Sequence, residues 1–378
     1  MRVRIVAEAP HSKPWHNSPM SVVEFKIEYK RILDPKGHIV APLPKFAADL
    51  ADVVRLYQAM TRVRVFDAKA VNLQRTGQLG TYPSSLGHEA THVGVGAAMR
   101  PEDVLAPVYR EFGTQLWRGV TMAEILLYWG GDERGNDFAV PRQDFAWCVP
   151  IATQTLHAAG AAMAFKLRKE PRCALAYIGD GGTSEGAFYE ALNLAGARAL
   201  PVVFVIVNNG WAISVPVAAQ TAARTLAQKA VAAGIPGVQV DGNDVFAVRE
   251  VVGEALATAR RGGGPCLIEA LTYRLSDHTT SDDANRYRDS REVAEAWTLE
   301  PLIRLREYLR KAGAWTEAWE QALLQDSARE VDAAVSEYLN TAKPSTDAMF
   351  DSLFAELPLH LREQRATARK YGAKPSGH

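Results

Sequence analysis

The sequence predicts an α/β fold, a parallel sheet covered by helices on both faces, and three observations lead there. Between about Thr153 and Glu269 helical and extended segments alternate. The extended segments CALAYIG, PVVFVIVNN and CLIEALTYR are apolar without the in-and-out alternation of a half-exposed strand, so both of their faces are expected to be buried. A glycine cluster, GDGGTSEG at 179–186, falls where the first of these strands meets a helix.

Taken in order, residues 1 to about 22 are polar, rich in Pro and His, and aperiodic, which reads as a mobile arm; its boundary is drawn at residue 40. Glu8, Pro10 and His11 break its short apolar stretch, so it is not read as a signal peptide. From Phe46 to about Gln74 the positions Leu50, Val53, Val54, Tyr57, Met60, Val63 and Phe66 recur at helical spacing and predict a long amphipathic helix. The break GQLGTYPSSLGHEA follows, then a helix from about His88 to Met99. The central region reads as helix TLHAAGAAMAFKLR, strand CALAYIG, helix SEGAFYEALNLAGARA and strand PVVFVIVNN. A helix near Thr221 to Ala233, a short strand GVQV, a helix near Val245 to Ala259 and the strand CLIEALTYR complete it. From about Pro301 the chain is charged and helical. The main domain is therefore assigned to 41–345, and 346–378 to a C-terminal helical segment and flexible tail.

The 378 residues, 47% hydrophobic and 23% charged, exclude disorder as the dominant state. Lys plus Arg and Asp plus Glu both number 43, so no global field draws nucleic acid or an anionic membrane, and any phosphate must be gripped locally. Cys148, Cys173 and Cys266 lie far apart and in no metal-ligand spacing, which suits a reducing, cytoplasmic compartment. No window holds the roughly 18 apolar residues of a membrane-spanning helix.

Glycines in GDGGTSEG let backbone approach a phosphate, and free N–H groups at a helix start favour an anion. A dinucleotide fold can open the same way. It would then want an acidic side chain at the end of the next strand to hold ribose hydroxyls, whereas that strand ends in Asn208 and Asn209. Asp180 and Asn209 are one strand-helix-strand unit apart and so lie on one sheet edge. A carboxylate with a neutral amide oxygen is a partial shell suited to Mg²⁺. A structural turn with an Asn cap is the plainer alternative.

The motif G-D-G, about 26 residues and N-N is similar to that of thiamine-diphosphate enzymes. In the form GDGGTSEGAFYEALNLAGARALPVVFVIVNNGWAIS it resembles alpha subunits of the decarboxylating component of 2-oxo acid dehydrogenases. The resemblance spans roughly residues 40 to 365 and implies a thiamine-diphosphate-binding fold of the diphosphate-binding type. It makes Asp180 and Asn209 magnesium ligands, with the Trp211 backbone carbonyl as a third, and puts Gly181 and Gly182 against the diphosphate. Tyr109 and Arg110 in PVYREFG match the pair that binds the diphosphate; a guanidinium offers it planar, bidentate donors. In VPIATQ, Val149 and Ile151 are expected to meet the aminopyrimidine ring through their backbones.

The segment TYRLSDHTTSDDANRYR, 272–288, resembles the family's active-site loop, with His278 the cofactor-contacting and catalytic residue. Arg274, Asp283, Tyr287 and Arg288 are expected to shape the loop or bind the acid, while His88, His92 and His157 read as packing residues. Two departures stand out. A histidine that the family often carries before the aminopyrimidine stretch is missing from NDFAVPRQDFAW, and Thr279 stands where some relatives have a phosphorylated serine.

Thiamine chemistry also needs a carboxylic acid on the aminopyrimidine, for which no second sheet unit is found. The resemblance assigns it to a separate beta subunit in a heterotetramer of two alpha and two beta chains, docked on a dihydrolipoyl acyltransferase core whose lipoyl domain takes the acyl group. VEFKIEYKRILDPKGHIV and AQKAVAAGIPGVQVDGND look most like bacterial pyruvate dehydrogenases, while HTTSDD and NNGWAIS look equally like branched-chain 2-oxo acid dehydrogenases. Pyruvate is favoured and the branched-chain acid is the alternative. A nicotinamide oxidoreductase and a catalytically silent scaffold are two readings of other classes.

Overall fold

The computed structural model describes residues 3–4 and 24–372. Its centre is a six-stranded sheet: β1 (Glu28–Lys30), β2 (Val104–Ala106), β3 (Ala174–Gly179), β4 (Val202–Asn208), β5 (Gly237–Asp241) and β6 (Cys266–Leu271), in the spatial order β1-β5-β6-β4-β3-β2. All five ladders are parallel. Every strand therefore ends at the same edge.

Both faces are covered because successive strand side chains enter different cores. From β4, Val203 and Val205 join a cluster with Leu56 and Tyr57 of α1 (Leu50–Arg75), Val93 of α2 (Glu89–Ala98) and Phe246 of α7 (Val245–Thr258). Phe204 and Ile206 point the other way, to Ala158 and Ala162 of α5 (Thr153–Arg168) and Phe188 and Leu192 of α6 (Gly186–Ala197). Alternation is present in space yet invisible in composition, because both faces are apolar. A third cluster joins Phe66, Tyr82, Phe112 and Trp147 to Val331 and Val335 of the C-terminal helix Glu317–Asn340.

The parallel sheet and its helices on both faces are as the sequence predicts, with three differences. First, the chain enters the sheet before residue 40: β1 is an edge strand, and the Ile32 and Leu33 N–H groups donate to the buried Asp244 carboxylate that caps α7, each at 2.7 Å. The arm reading for residues 5–23 and the end of the tail at 373–378 lie outside the described residues. Second, β2 and the short helices α3 (Phe112–Arg118) and α4 (Met122–Trp129) carry too few residues to register as periodicity. Third, of the helix expected over Thr221–Ala233 only the turn Lys229–Ala232 forms, with a separate turn, Val217–Gln220, just before that stretch. The Thr221 and Thr225 hydroxyls accept from the Ala223 and Gln228 N–H groups, and Glu269 takes the N–H of Ala227. Local side-chain bonds compete here with the helix ladder. No helix among the described residues is long and apolar enough to cross a membrane.

Candidate functional site

The carboxyl ends of β3, β4 and β6 open into a cavity of about 630 Å³, whose lining includes Tyr109, Arg110, Val149, Ile151, Asp180, Gly181, Gly182, Asn209, Trp211 and His278. All the residues singled out as cofactor or metal contacts thus meet in one place. Asp180 follows β3 directly, and the Gly179–Val207 register sets it beside the end of β4, where Asn209 sits.

Asp180 is 2% exposed. Its carboxylate accepts from Gln220 Nε2 at 3.1 Å, burial raises its pKa, and among the described residues no cationic side chain bonds to it. A buried carboxylate held by neutral donors is suited to a cation, so the donor set fits Mg²⁺. Asn209 Oδ1 accepts from the Trp211 N–H at 3.2 Å. The Trp211 carbonyl accepts from Arg274 Nη1 at 3.2 Å, so a metal would share this oxygen with a guanidinium.

The glycines have a packing reason as well as the expected chemical one. A Cβ on Gly181 would stand 2.5 Å from that of Ala212, and one on Gly182 would stand 2.7 Å from Ile178 Cγ1. Side chains there would force the turn away from its neighbours.

Arg110 is buried and held at both ends. Nη1 donates to the Ser84 carbonyl at 2.6 Å and Nη2 to the His278 carbonyl at 2.9 Å. Behind it, Asp67 of α1 gathers the Ser84 hydroxyl, the Tyr82 hydroxyl and the Ser85 N–H. The Tyr109 ring stands edge-on to His278 at 6.3 Å.

His278 Nδ1 lies 3.2 Å from Arg110 Nη2 and 3.5 Å from Arg274 Nη1. Burial first, then these two cations, push the imidazole pKa down to about 3. The ring is therefore neutral at physiological pH. With guanidinium donors at Nδ1, that nitrogen accepts and the proton resides on Nε2. The loop around it is braced by Arg274, which donates to the Ile213 carbonyl at 2.8 Å and to the Tyr287 hydroxyl at 2.9 Å. Tyr287 bonds in turn to Asp282, which accepts the His278 N–H at 3.0 Å, and Arg288 donates to the Arg274 carbonyl. Asp283 caps the turn Ala284–Arg286.

Several lining residues were not legible from the sequence. His88, read as packing, is buried yet lines the cavity, and neither of its ring nitrogens has a hydrogen-bond partner among the described residues. Glu111 also lines the cavity; burial pushes its pKa up to about 7 while its carboxylate accepts the Val108 N–H at 2.9 Å. Gln220, just before the stretch expected to be helical, also lines the cavity, and Asp282, outside the lining, gave no signal beside Asp283. His92 is buried away from the cavity and His157 stacks on Phe145. The segment 136–147, which lacks the family's histidine, contributes nothing to the lining, whereas Thr279 does.

An acid-amide pair on adjacent ends of a parallel sheet thus shares one cavity with an arginine and a neutral histidine. The chain belongs to the Dehydrogenase E1 component family, which it matches over residues 57–347, and is a thiamine-diphosphate-dependent 2-oxo acid dehydrogenase. It is 40% identical over 342 residues, 90% of this chain and 92% of the relative, to the pyruvate dehydrogenase E1 component subunit alpha of Staphylococcus aureus. It is 44% identical over 315 residues, 83% of this chain and 86% of the relative, to the 3-methyl-2-oxobutanoate dehydrogenase subunit alpha of Mycobacterium tuberculosis. The Staphylococcus epidermidis pyruvate dehydrogenase E1 component subunit alpha is 39% identical over 348 residues, 91% of this chain and 94% of the relative.

Proposed function

We propose that this chain is the alpha subunit of a pyruvate dehydrogenase, decarboxylating pyruvate and passing the acetyl group to lipoamide in the cytoplasm. The observation that carries the reading is the convergence of Asp180, Asn209, Arg110 and His278 on one cavity. Asp180, Asn209 and the Trp211 carbonyl would hold Mg²⁺; Gly181, Gly182, Tyr109 and Arg110 would hold the diphosphate; Val149 and Ile151 would meet the aminopyrimidine, and His278 would contact the cofactor from the loop without anchoring it. Thiamine diphosphate supplies, when bound, the carbon nucleophile and the electron sink for decarboxylation.

The chain's own residues do the rest. Arg110 offers positive charge whose direction is set by two backbone carbonyls, so little reorganisation accompanies anion binding. His278, neutral with its proton on Nε2, is a hydrogen-bond donor to developing negative charge on a substrate oxygen rather than a charged acid. Burial, with Arg110 and Arg274 beside it, holds it in that state.

The cavity rim carries exposed apolar side chains, Val149 at 49% and Ile213 at 55%, which suits a covering partner. That partner is the beta subunit, which brings the carboxylic acid for the aminopyrimidine, in a heterotetramer of two alpha and two beta chains. The heterotetramer docks on a dihydrolipoyl acyltransferase core. Cys148, Cys173 and Cys266 are all free, which supports a reducing compartment.

A second reading, 3-methyl-2-oxobutanoate as the substrate, is favoured by the 44% identity to the mycobacterial subunit. A methyl and an isopropyl group differ by about 1 to 3 kcal/mol in a pocket. The test is kcat/KM for both acids on the assembled heterotetramer. Preference for pyruvate by about 10-fold or more is expected; the reverse preference would transfer the assignment to the branched-chain acid.

A further inference from the structure

The glycine turn is gripped from behind by a residue that does not line the cavity. Lys229 opens the helical turn Lys229–Ala232 and is 8% exposed. Its Nζ donates to the Thr183 carbonyl at 2.6 Å and meets Thr183 Oγ1 at 3.0 Å, and it lies 5.1 Å from the centroid of the Tyr189 ring. Thr183 is itself tied to the metal-site residue, since its hydroxyl donates to the Asp180 carbonyl at 2.7 Å and its N–H to the same oxygen at 3.1 Å.

This buried ammonium has no carboxylate partner among the described residues. Glu269 and Asp180 bond other groups: Glu269 takes the amides of Asn208 and Gln239 and the N–H of Ala227, and Asp180 takes Gln220. A buried cation with only neutral partners is unfavourable unless negative charge completes its surroundings. On the cavity side of the same turn lies the place where an anion is expected. A divalent ion offsets Asp180 and only part of a diphosphate, and Arg110 adds a single further charge.

We propose that Lys229 is a positioning residue for anion binding: it locks Thr183, and through it the Asp180 backbone, and sets a buried positive charge behind the turn that an Mg²⁺-diphosphate group completes. The inference rests on the cofactor reading above. It differs from a packing role in one respect: removing the charge weakens the anion more than it weakens the fold.

The test uses the assembled heterotetramer freed of cofactor with a chelator, carrying Lys229→Met or Lys229→Gln; the Gln amide keeps a donor for Thr183 but no charge. Affinities for thiamine diphosphate and for inorganic pyrophosphate, both with Mg²⁺, are measured by calorimetry, with melting temperatures of free and loaded protein. Both variants are expected to bind either ligand about 10- to 100-fold more weakly. Turnover at saturating cofactor should stay within a few-fold of wild type, and the free protein should melt as wild type does. If the free variants melt lower yet bind both ligands with wild-type affinity, Lys229 only packs and the proposal is overturned. Should Lys229→Met fail to fold, Lys229→Gln decides: wild-type affinity overturns the role of the charge, and weakened affinity supports it. If wild type bound pyrophosphate through Lys229 but no thiamine diphosphate, the cofactor reading would fall while the role of Lys229 stood. If wild type bound neither, both would fall.

Discussion

The two halves of the site are built differently. The turn after β3 is local and tight: Asp180 through Ser184 forms one helical turn, its glycines abut Ala212 and Ile178, and neighbouring strand ends in fixed register set Asp180 against Asn209. The loop after β6 has no repeating backbone ladder. His278 owes its place to side chains from several segments: Arg110 after β2, and Arg274, Asp282 and Tyr287 of the loop itself. On the roles proposed above, the difference makes cofactor anchoring and substrate chemistry separable. The first rests on strand register and the second on a polar network, so each should break without the other.

The largest effect is expected at the turn. Asp180→Ala should bring Mg²⁺-dependent thiamine diphosphate binding below detection and abolish turnover. The unliganded protein should melt no lower than wild type, because a buried carboxylate with a raised pKa is a liability until its cation arrives. Calorimetry showing wild-type affinity would end the metal assignment.

His278→Ala should act on the other half alone. Arg110 contacts the loop through the His278 backbone carbonyl, which survives the substitution, so cofactor affinity should stay within a few-fold. Turnover should fall by about 10²- to 10⁴-fold. It should be followed on the heterotetramer both with an artificial electron acceptor and with the lipoyl domain; rates near wild type in both would remove the residue from the chemistry.

Asp282→Ala should loosen the loop without touching its histidine. Losing the acceptor for the His278 N–H and the Tyr287 hydroxyl should remove about 1 to 3 kcal/mol of local order. Amide exchange across 277–288 should quicken while thiamine diphosphate affinity holds. A matching loss of cofactor affinity would show that the two halves are coupled after all.

The smallest effect is in pH. The folded pKa of His278, about 3, lies below the ordinary value near 6.5, so between these values the unfolded chain binds a proton that the native state does not. The stability associated with neutral His278 is present above about 6.5 and is lost as pH falls toward 3. In unliganded protein, His278→Gln should reduce the loss of stability between pH 7.5 and 5.5 by about 1 kcal/mol. Equal losses in wild type and variant would mean that the imidazole is not held neutral.

Some of the site was legible because its signals are local in the chain. GDGG follows an apolar strand and NN ends the next, so parallel geometry alone brings Asp180 and Asn209 together. His88 packs as its helical neighbours suggest, edge-on to His92 and fully buried, yet it also borders the cavity, which helical periodicity alone does not show. The stretch over Thr221–Ala233 has helical composition, yet Thr225 and a distant Glu269 hold its backbone elsewhere.

By itself, then, the sequence determined the layered sheet and brought Asp180 and Asn209 to neighbouring strand ends, since strand burial and strand order are written in contiguous residues, while His278 was singled out by resemblance to the family's loop. Tertiary structure decided what those residues can do. The protonation state of His278 depends on its burial and then on two guanidinium groups, one of them 168 positions away in the chain. The aim of Arg110 depends on the carbonyl of Ser84, a residue whose hydroxyl is bound by the buried Asp67 of α1. Electrostatic environment is a sum over neighbours in space, and only the folded chain chooses them.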